Sequence, residues 1–556
     1  MAIAEPTPCR DVTRREVRLT FMGLVLSMAL GSLDQSIVST ALPRIVSDLG
    51  GLAHLSWVVT AFMLTSTVST LLYGKLSDIY GRKRLYYIGI TTFLIGSMLC
   101  GMARSMLQLI IWRGAQGLGA GGLIALAHTT IGDLIPPRHR GKYQGYFSIV
   151  FATSSIAGPI LGGMITDFIS WRWVFYVNLP IGLLALLLIG MGLRHKGRPV
   201  NHRVDVTGAI LLTGSTSCLL LLLNWGGSVY PWSSSPIAWL ALGSVVLGGT
   251  LIFVEARASE PNLPLTLFAN PIFSVCIGGF FFTGMALMGG LLFMPLFFQL
   301  VEGIGPSKAG LLMIPMTIGN ITAAIVGGRL VSATGRYKMI PLLGLTTAGI
   351  FFWVISYLVH SGASVLAVEI ALLFLGLGFG SVMSILTVAV QNAVARRDIG
   401  VATSIASFFR SLGCSVGVSV AGSVMLVSLI PRLPTSLGGH IESPRVLLQR
   451  GAAVFSRLPG VDHRLTLSAY RHAIAATFLF SGFVAISGAF TIYFLREKRL
   501  RDAHYREEAP ELVMSEYSSP SFMRPHVGNG SEGLRGGGAS QSSHSTHCRS
   551  RNQAGS

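Results

Sequence analysis

The chain has 556 residues, of which 51% are hydrophobic and only 12% are charged. A soluble protein carries roughly twice that charged fraction, so the composition excludes an ordinary soluble enzyme or binding module. The net charge of +19 would suggest a nucleic-acid partner in a soluble protein, but here the basic residues cluster in short loops between apolar runs. We therefore predict a membrane protein that is surrounded by lipid and has no nucleic acid among its partners.

Apolar runs of roughly 20 residues recur from end to end, and each is long enough to cross a hydrocarbon core of about 30 Å as a helix. The first run follows directly on the N-terminal segment, so we expect no cleaved leader peptide. The pattern predicts an all-α polytopic membrane fold with fourteen helices, at about 18–42, 55–74, 85–103, 106–132, 143–166, 173–193, 205–224, 236–255, 272–300, 309–328, 339–359, 364–390, 402–430 and 469–495.

Basic residues in the connecting loops set the predicted orientation. They concentrate in alternate loops, and by the positive-inside rule this asymmetry places both termini in the cytoplasm. The basic side holds Lys75, Arg82, Lys83, Arg84, Arg138, Arg140, Lys142, Arg194, Lys196, Arg198, Arg203, Arg257, Arg329, Arg336, Lys338, Arg396 and Arg397. The short loops of the other side hold Arg44, Arg104, Arg172 and Lys308.

Two segments differ from the rest of the chain. Loop 431–468 would lie outside the cell yet carries five arginines, and its stretch 443–458 has the apolar spacing of a short surface helix or hairpin. The tail 501–556 is polar and rich in Ser, Gly and His, which predicts disorder.

An internal repeat divides the chain. Residues 118–141 align with 377–400 without gaps, and residues 74–82 align with 328–336. Both alignments place helices 2–5 over helices 10–13, which predicts two six-helix repeats that enclose a mid-membrane site and rock to give alternating access. The predicted domains are a cytoplasmic N-terminus 1–17, a first bundle 18–193, an insert with helices 7 and 8 at 194–271, a second bundle 272–500 with outer loop 431–468, and the tail 501–556.

The stretch "GKLSDIYGRK" (74–83) joins helices 2 and 3 on the predicted inner side. Gly74 and Gly81 permit a tight turn and a close approach of another helix. Asp78 can accept hydrogen bonds from a helix N-terminus or pair with Arg82, which would latch the two halves together. The alternative is a charged loop that only sets topology.

Four ionisable residues lie within apolar spans: Asp34, Arg113, Glu369 and Arg410. A charge in the hydrocarbon core costs at least several kcal/mol unless it is paired or hydrated, so each is a candidate functional residue. From the predicted helix ends, Asp34 lies roughly 12 Å and Arg113 roughly 10 Å below the outer surface, so the two could pair. An acid that changes its protonation state suits a proton-coupled carrier; the alternative is a fixed pair that only locks helix packing.

The remaining charges leave more than one interpretation. Arg410 lies near mid-depth, about eight residues from the predicted inner end of helix 13, where it could attract an anionic group, balance a carboxylate or bind backbone carbonyls. Glu369 is shallower, and could be coupled to transport or be a plain vestibule residue. The neighbours Ser32, Gln35 and Ser36 are expected to make the surroundings of Asp34 partly polar.

The chain resembles the major facilitator superfamily, and within it the 14-helix drug:proton antiporters (EmrB/QacA-like), over roughly residues 20–500. Residues 74–83 match its motif A pattern, G-x-L-x-D-x-x-G-R-K. Further similar segments are "LDQSIVSTALP" (33–43), "LIIWRGAQGLGAGG" (109–122, motif B), "SSIAGPILGG" (154–163, antiporter motif C) and "WRWVFYVNLPIG" (171–182).

Motif C bears on helix 5, where Gly158 and Pro159 are expected to interrupt the helix and Gly162 and Gly163 to let another helix approach. The resemblance alone connects these four residues to antiport. The chain departs from the family pattern at Ser154, where motif C usually begins with Gly. It departs again in the second copy of motif A, where Ser332 replaces the aspartate, so we expect the cytoplasmic gate to depend mainly on Asp78.

We predict a secondary active transporter that exports small amphipathic or cationic compounds (multidrug efflux) in exchange for protons, from the plasma (inner) membrane. The alternative is a proton-coupled transporter of a specific metabolite such as an amino acid, a sugar or a siderophore. A channel or enzyme is disfavoured, because the sequence has no filter-like repeated loop, no nucleotide-binding Gly-x-x-x-x-Gly-Lys stretch and no His/Cys cluster. We thus expect no cofactor and no metal; the expected partners are the substrate, protons, lipid and, in a Gram-negative source, a periplasmic adaptor.

Overall fold

The computed structural model describes residues 14–49, 55–135, 137–193, 205–226, 230–258, 261–395, 398–432 and 460–498. Over these ranges the chain is almost wholly helical, and the only β-type pairing is a single bridge between Gly226 and Tyr230. Fourteen of the described helices are long and apolar enough to cross a membrane, as predicted. The expected surface helix at 443–458 and the tail 501–556 lie outside the described residues.

The fourteen spans are numbered here in chain order. The first half holds α1 (Arg14–Leu49), α2 (Leu55–Tyr80), α3 (Arg82–Gly101), α4 (Met106–Leu134), α5 (Pro137–Phe168) and α6 (Asn178–Gly192). The insert holds α7 (Val206–Trp225) and α8 (Ser235–Glu255). The second half holds α9 (Pro271–Leu291, continued to Val301), α10 (Ile314–Thr334), α11 (Met339–Ser361), α12 (Val365–Gly380 and Val382–Ala393), α13 (Ile399–Leu429) and α14 (Gly460–Tyr493).

The connection between α2 and α3 is shorter than the sequence predicted. Helix α2 continues through Gly74 and Asp78 to Tyr80, so the expected turn at Gly74 is wrong. The chain turns only at Gly81, whose φ of +88° is a conformation that glycine adopts without a steric penalty. The repeat-equivalent Gly335, at the end of α10, has a φ of +71°. Both halves therefore turn at a glycine of positive φ, although the ψ angles of 145° at Gly81 and 3° at Gly335 differ.

Helix α5 corrects a second expectation. It runs without interruption from Pro137 to Phe168 with Pro159 inside it, so Gly158 and Pro159 do not break the helix. Proline removes one backbone donor, but the turns on either side keep their own hydrogen bonds, and packing against neighbouring helices supports such a position in membrane spans.

Close helix packing in the first half depends on glycines of α4. A Cβ atom on Gly117 or Gly121 would overlap backbone atoms of α2, and one on Gly119 would overlap backbone atoms of α3. Helix α4 therefore lies against both neighbours at backbone distance, as small residues allow in lipid. The second half uses the same device, since Gly413 of α13 lies against the backbone of Phe281 in α9.

The two halves meet through two equivalent crossings. Gly74 of α2 lies against Gly400 and Ser404 of α13, and Gly141 of α5 lies against Gly328 of α10. The sequence repeat relates Gly74 to Gly328 and Gly141 to Gly400, so one crossing is the counterpart of the other. We call the end of the molecule that holds both crossings and the Gly81 turn the gate end. The inserted α7 and α8 pack together, with α7 against α2 and α13.

The packing of α4 makes a stability prediction. Gly121→Val should destabilise the protein by about 1–3 kcal/mol or more, because the new side chain would overlap Ser66 and Ser69 of α2. Gly248→Val is the matched control, because a Cβ at Gly248 of α8 meets no atom within 4 Å. Equilibrium unfolding of the purified protein in detergent measures both variants, and equal losses would contradict the packing described here.

Candidate functional site

Asp34 and Arg113 form a buried ion pair. Nη1 of Arg113 on α4 lies 2.6 Å from Oδ2 of Asp34 on α1. The side chains are only 2% and 0% exposed, respectively. Two charges buried in this way are stable only when they are paired and when their remaining polar atoms are also hydrogen-bonded.

Three further polar side chains complete what we call the Asp34 network. The amides of Gln116 and Asn178 each donate to Oδ1 of Asp34, both at 2.9 Å. Both amides also donate to the hydroxyl of Ser97, at 3.2 and 2.9 Å. Nη1 of Arg113 donates to Oε1 of Gln116 at 2.7 Å. The carboxylate is thus held by groups from α4 and α6 and, through Ser97, is connected to α3.

Aromatic and backbone groups surround the guanidinium of Arg113. Its central carbon lies 4.1 Å above the ring of Phe62 and 6.0 Å from the ring centre of Phe175. Nε donates to the carbonyl oxygen of Val58 at 3.4 Å. A cation on an aromatic face is stabilised most when water is absent, so these contacts help to fix the position of Arg113.

The polar surroundings of Asp34 come from other helices, so the expectation for its own neighbours is wrong. Gln35 is exposed, Ser32 donates to Ser154 on α5 at 2.9 Å, and Ser36 donates to the carbonyl of Ser32. Successive helix residues are rotated by about 100°, so adjacent side chains point to different neighbours. The Ser32–Ser154 bond also shows that serine at the first motif C position keeps α1 and α5 together.

Three members of the network were not assigned to the site from the sequence. Ser97 carried no signal, because serine is common in membrane helices. Asn178 lies in the quoted segment 171–182, and its amide within an apolar span was a signal that could have been weighed. Gln116 was visible as an intramembrane amide next to Arg113 in motif B, but it was not assigned to the site.

A second charged cluster lies at the gate end. Asp78 pairs with Arg82 and accepts from the backbone N–H of Val401 at 3.1 Å, in the first turn of α13. Arg82 also binds Oδ2 of Asp133 on α4 through Nε, at 2.9 Å, and contacts Ser77. Asp78 therefore connects α2 in the first half to the start of α13 in the second half. Asp133 was not predicted from the sequence as a member of this cluster.

The equivalent crossing in the second half lacks the two carboxylates. The repeat relates Asp78 to Ser332 and Asp133 to Asn392, so both carboxylates are replaced by neutral groups. Arg336, the counterpart of Arg82, is exposed. The gate end is thus symmetric in its glycine crossings and asymmetric in its electrostatics.

Motif C packs α5 on α1. Gly158 lies against Ser36, and Gly162 lies against Ile37 and Thr40, so a side chain at either glycine would force the helices apart. Gly163 meets no atom within 4 Å, and the expectation that it permits close approach is wrong. The packing glycines are four residues apart, on one face of the helix, whereas Gly163 lies on another face.

The two remaining candidates lie away from the Asp34 network. Arg410 is half-buried in the middle of α13, and Glu369 is half-buried near the start of α12. In the part of the chain that the structure describes, neither side chain forms a hydrogen bond or ion pair. Helix α13, which carries Arg410, packs against α4, which carries His128. The structure thus brings Asp34 and Arg113 together and leaves Glu369 and Arg410 apart from them.

Comparison with known proteins places this arrangement in a family. The model named Major Facilitator Superfamily matches residues 24–418. The multidrug transporter protein MdtP of Bacillus subtilis is 35% identical over 89% of this chain and 97% of its own. Multidrug resistance protein 3 of the same species is 34% identical over 87% of this chain and 96% of its own. The solved proton:xylose symporter XylE shares the fold at a TM-score of 0.57 and 13% identity, over 87% of this chain and 97% of that one.

The buried pair makes a prediction about stability. Arg113→Leu should cost about 3–5 kcal/mol, because it leaves a buried carboxylate without its cation. Adding Asp34→Asn to that variant should recover part of the loss, because no buried charge then remains. Arg44→Gln is the control, since the Arg44–Asp48 pair at 3.7 Å is 65% and 37% exposed and should matter by less than about 1 kcal/mol.

Equilibrium unfolding of five proteins in one detergent, namely the wild type, Arg113→Leu, Asp34→Asn, the double variant and Arg44→Gln, measures these differences. A double variant that is less stable than Arg113→Leu by the full cost of Asp34→Asn would contradict a direct interaction between the two side chains.

Proposed function

Because the chain belongs to the major facilitator superfamily, we propose that it is a multidrug exporter, which expels small amphipathic or cationic compounds in exchange for protons. It is a multi-pass membrane transporter, and we place it in the plasma (inner) membrane with both termini and the gate end in the cytoplasm. The names of the two Bacillus relatives support a drug substrate, and the basic residues of the loops support the orientation.

The observation that carries the proton coupling is the Asp34 network. A proton on Asp34 would turn a buried ion pair into a neutral acid beside an unbalanced guanidinium. Gln116 and Asn178 would then donate to a neutral acid instead of to a carboxylate that carries a full negative charge. The relative positions of α1, α4 and α6 therefore depend on whether Asp34 carries a proton. Proton binding and helix movement are linked through this dependence, as antiport requires.

The gate end supports alternating access. Here the halves are closed on each other by the two glycine crossings, by Asp78 on the first turn of α13, and by hydrogen bonds between side chains and backbone. Gln391 of α12 donates to the carbonyl of His128 at 2.9 Å, and the hydroxyls of Ser148 and Ser384 lie 3.3 Å apart. In the proposed orientation this is a conformation closed to the cytoplasm. Export then requires these contacts to open and reform in each cycle.

Proton coupling is tested at Asp34. In proteoliposomes, Asp34→Asn should abolish proton-gradient-driven transport of whichever compound a pump-deficient strain exports best from a panel of dyes, biocides and antibiotics. Exchange of labelled against unlabelled compound, which needs no net proton movement, should survive. Asp167→Asn, at the exposed far end of α5, is the control and should retain both activities. Gradient-driven transport that persists unchanged in Asp34→Asn would remove the coupling role.

The gate is tested at Asp78. Asp78→Asn should shift the protein towards gate-end opening, because it loses the charge that binds Arg82 and the N-terminal turn of α13. Spin labels on the exposed sites of Arg84→Cys and Arg329→Cys, one in each half, report the separation by pulsed electron resonance once the native cysteines are replaced. A longer distance should gain population in Asp78→Asn and not in Asp167→Asn. An unchanged distribution would show that Asp78 is no latch.

A further inference from the structure

We propose that Arg410 binds an anionic group of the transported compound, so that acidic amphipathic molecules are a favoured substrate class of this exporter. The inference rests on the proposed function and narrows it, since among the compounds named there it favours acidic amphipathic ones over cationic ones. It arises from a cluster between the two halves, which consists of His128 on α4, Gln144 and Phe147 on α5, Gln391 on α12 and Arg410 on α13. We call it the Arg410 cluster.

Arg410 lies deep in the membrane region. It is eleven residues beyond Ile399, the first residue of α13, and so roughly 16 Å along the helix from the gate end. That is about half the thickness of a hydrocarbon core. An arginine at such a depth faces the protein interior or a water-filled space, and it needs a counter-charge or polar partners. Its side chain is half-buried, so part of it is open to contact.

The described part of the chain supplies no counter-charge to Arg410. The buried or half-buried acids with an assigned partner are bound elsewhere: Asp34 by Arg113, Asp78 and Asp133 by Arg82, and Glu302 by Arg471. No hydrogen bond or ion pair to the Arg410 side chain forms within the described ranges. Arg113, by contrast, is held by a carboxylate, an amide and an aromatic ring. Arg410 is therefore the intramembrane arginine that is available to a ligand.

A second observation comes from the facing half. Helix α13, which carries Arg410, packs against α4. Gln391 donates both to the carbonyl of His128 on α4 and to the hydroxyl of Thr403 on α13. His128 in turn contacts Oε1 of Gln144 through Nδ1 at 2.5 Å. Gln144 is only 1% exposed, and its Nε2 has no partner among the described residues. A buried amide donor without an acceptor is costly, and an oxygen atom of a ligand would remove that cost. The same cluster thus offers a cation and an unused hydrogen-bond donor.

Aromatic side chains lie in the same helical turn as Arg410 and against His128. Phe408 and Phe409 precede Arg410 in α13, both half-buried, with ring centres 5.6 Å apart at 89°. Phe147 packs edge-on against His128 at 5.3 Å. The hydrogen bond from Gln391 to the carbonyl of His128 closes the cluster towards the gate end. A flat apolar body with an acidic group matches this arrangement, whereas a cationic compound would bring a second positive charge next to Arg410.

Two dyes with one ring system separate the charges. Fluorescein is anionic and rhodamine 6G is cationic, and both contain a xanthene ring. Each is titrated into the purified full-length protein in detergent, and binding is followed by fluorescence anisotropy. The wild-type protein should bind fluorescein more tightly than rhodamine 6G. Arg410→Gln should weaken fluorescein binding about tenfold or more, and should leave rhodamine 6G binding unchanged or stronger.

Matched variants separate a local contact from net charge and from misfolding. Arg410→Lys keeps the charge but loses the two-pronged geometry, so its fluorescein affinity should lie between wild type and Arg410→Gln. Arg329→Gln removes a charge from an exposed site on α10 and should change neither affinity. Fluorescein binding that Arg410→Gln leaves unchanged, or wild-type affinities that are equal for the two dyes, would overturn the proposal.

A failure of the Arg410 anion site can be distinguished from a failure of the proposed function. If proton-driven export depends on Asp34 but fluorescein binding does not depend on Arg410, only the anion site is refuted. Arg410-dependent fluorescein binding without proton-driven export of any compound would refute the proposed function and leave the binding site standing.

Discussion

The ion pair between Asp34 and Arg113 is the constraint on which the packing of α1, α3, α4 and α6 around the Asp34 network depends. Neither charge is stable in a dry helix bundle without the other, and the amides of Gln116 and Asn178 are placed to serve the carboxylate. Four helices, α1, α3, α4 and α6, thereby contribute to one hydrogen-bonded network around the Asp34 carboxylate. A pair this buried is weak evidence for stability as such, since apolar residues of similar volume often pack as well. We propose that its value lies in making helix position depend on protonation.

Helix α4 connects this network to the rest of the mechanism. It carries Arg113 and Gln116 in the network, His128 in the Arg410 cluster and Asp133 at the gate end. Twenty residues separate Arg113 from Asp133, which is roughly 30 Å of helix. Its glycines hold it against the backbones of α2 and α3, so the three helices pack as one unit. We propose that this packing transmits a change at Asp34 to the charged residues of the gate end.

The sequence predicted the spans well because membrane helices are set by local hydropathy, and it predicted the Asp34–Arg113 pairing because depth can be counted along a helix. It failed where the answer depended on which faces meet. Ser97 joins the Asp34 network, and Asp133 pairs with Arg82, only because α3 packs against α4. Gln35 points away from the network although it is next to Asp34 in the sequence. The continuous course of α5 through Pro159 also depends on support from neighbouring helices. Rotation of a helix about its axis is decided by tertiary contacts, which local sequence does not report.

Infrared difference spectroscopy of the reconstituted protein tests the central claim most directly, because the C=O stretch of a protonated carboxylic acid is distinct from the bands of a carboxylate. The account predicts that lowering the pH produces one such band from a poorly hydrated acid in the wild-type protein, and that Asp34→Asn removes it. The same band in Asp34→Asn, or its absence from the wild type across the working pH range, would show that Asp34 stays ionised and carries no proton.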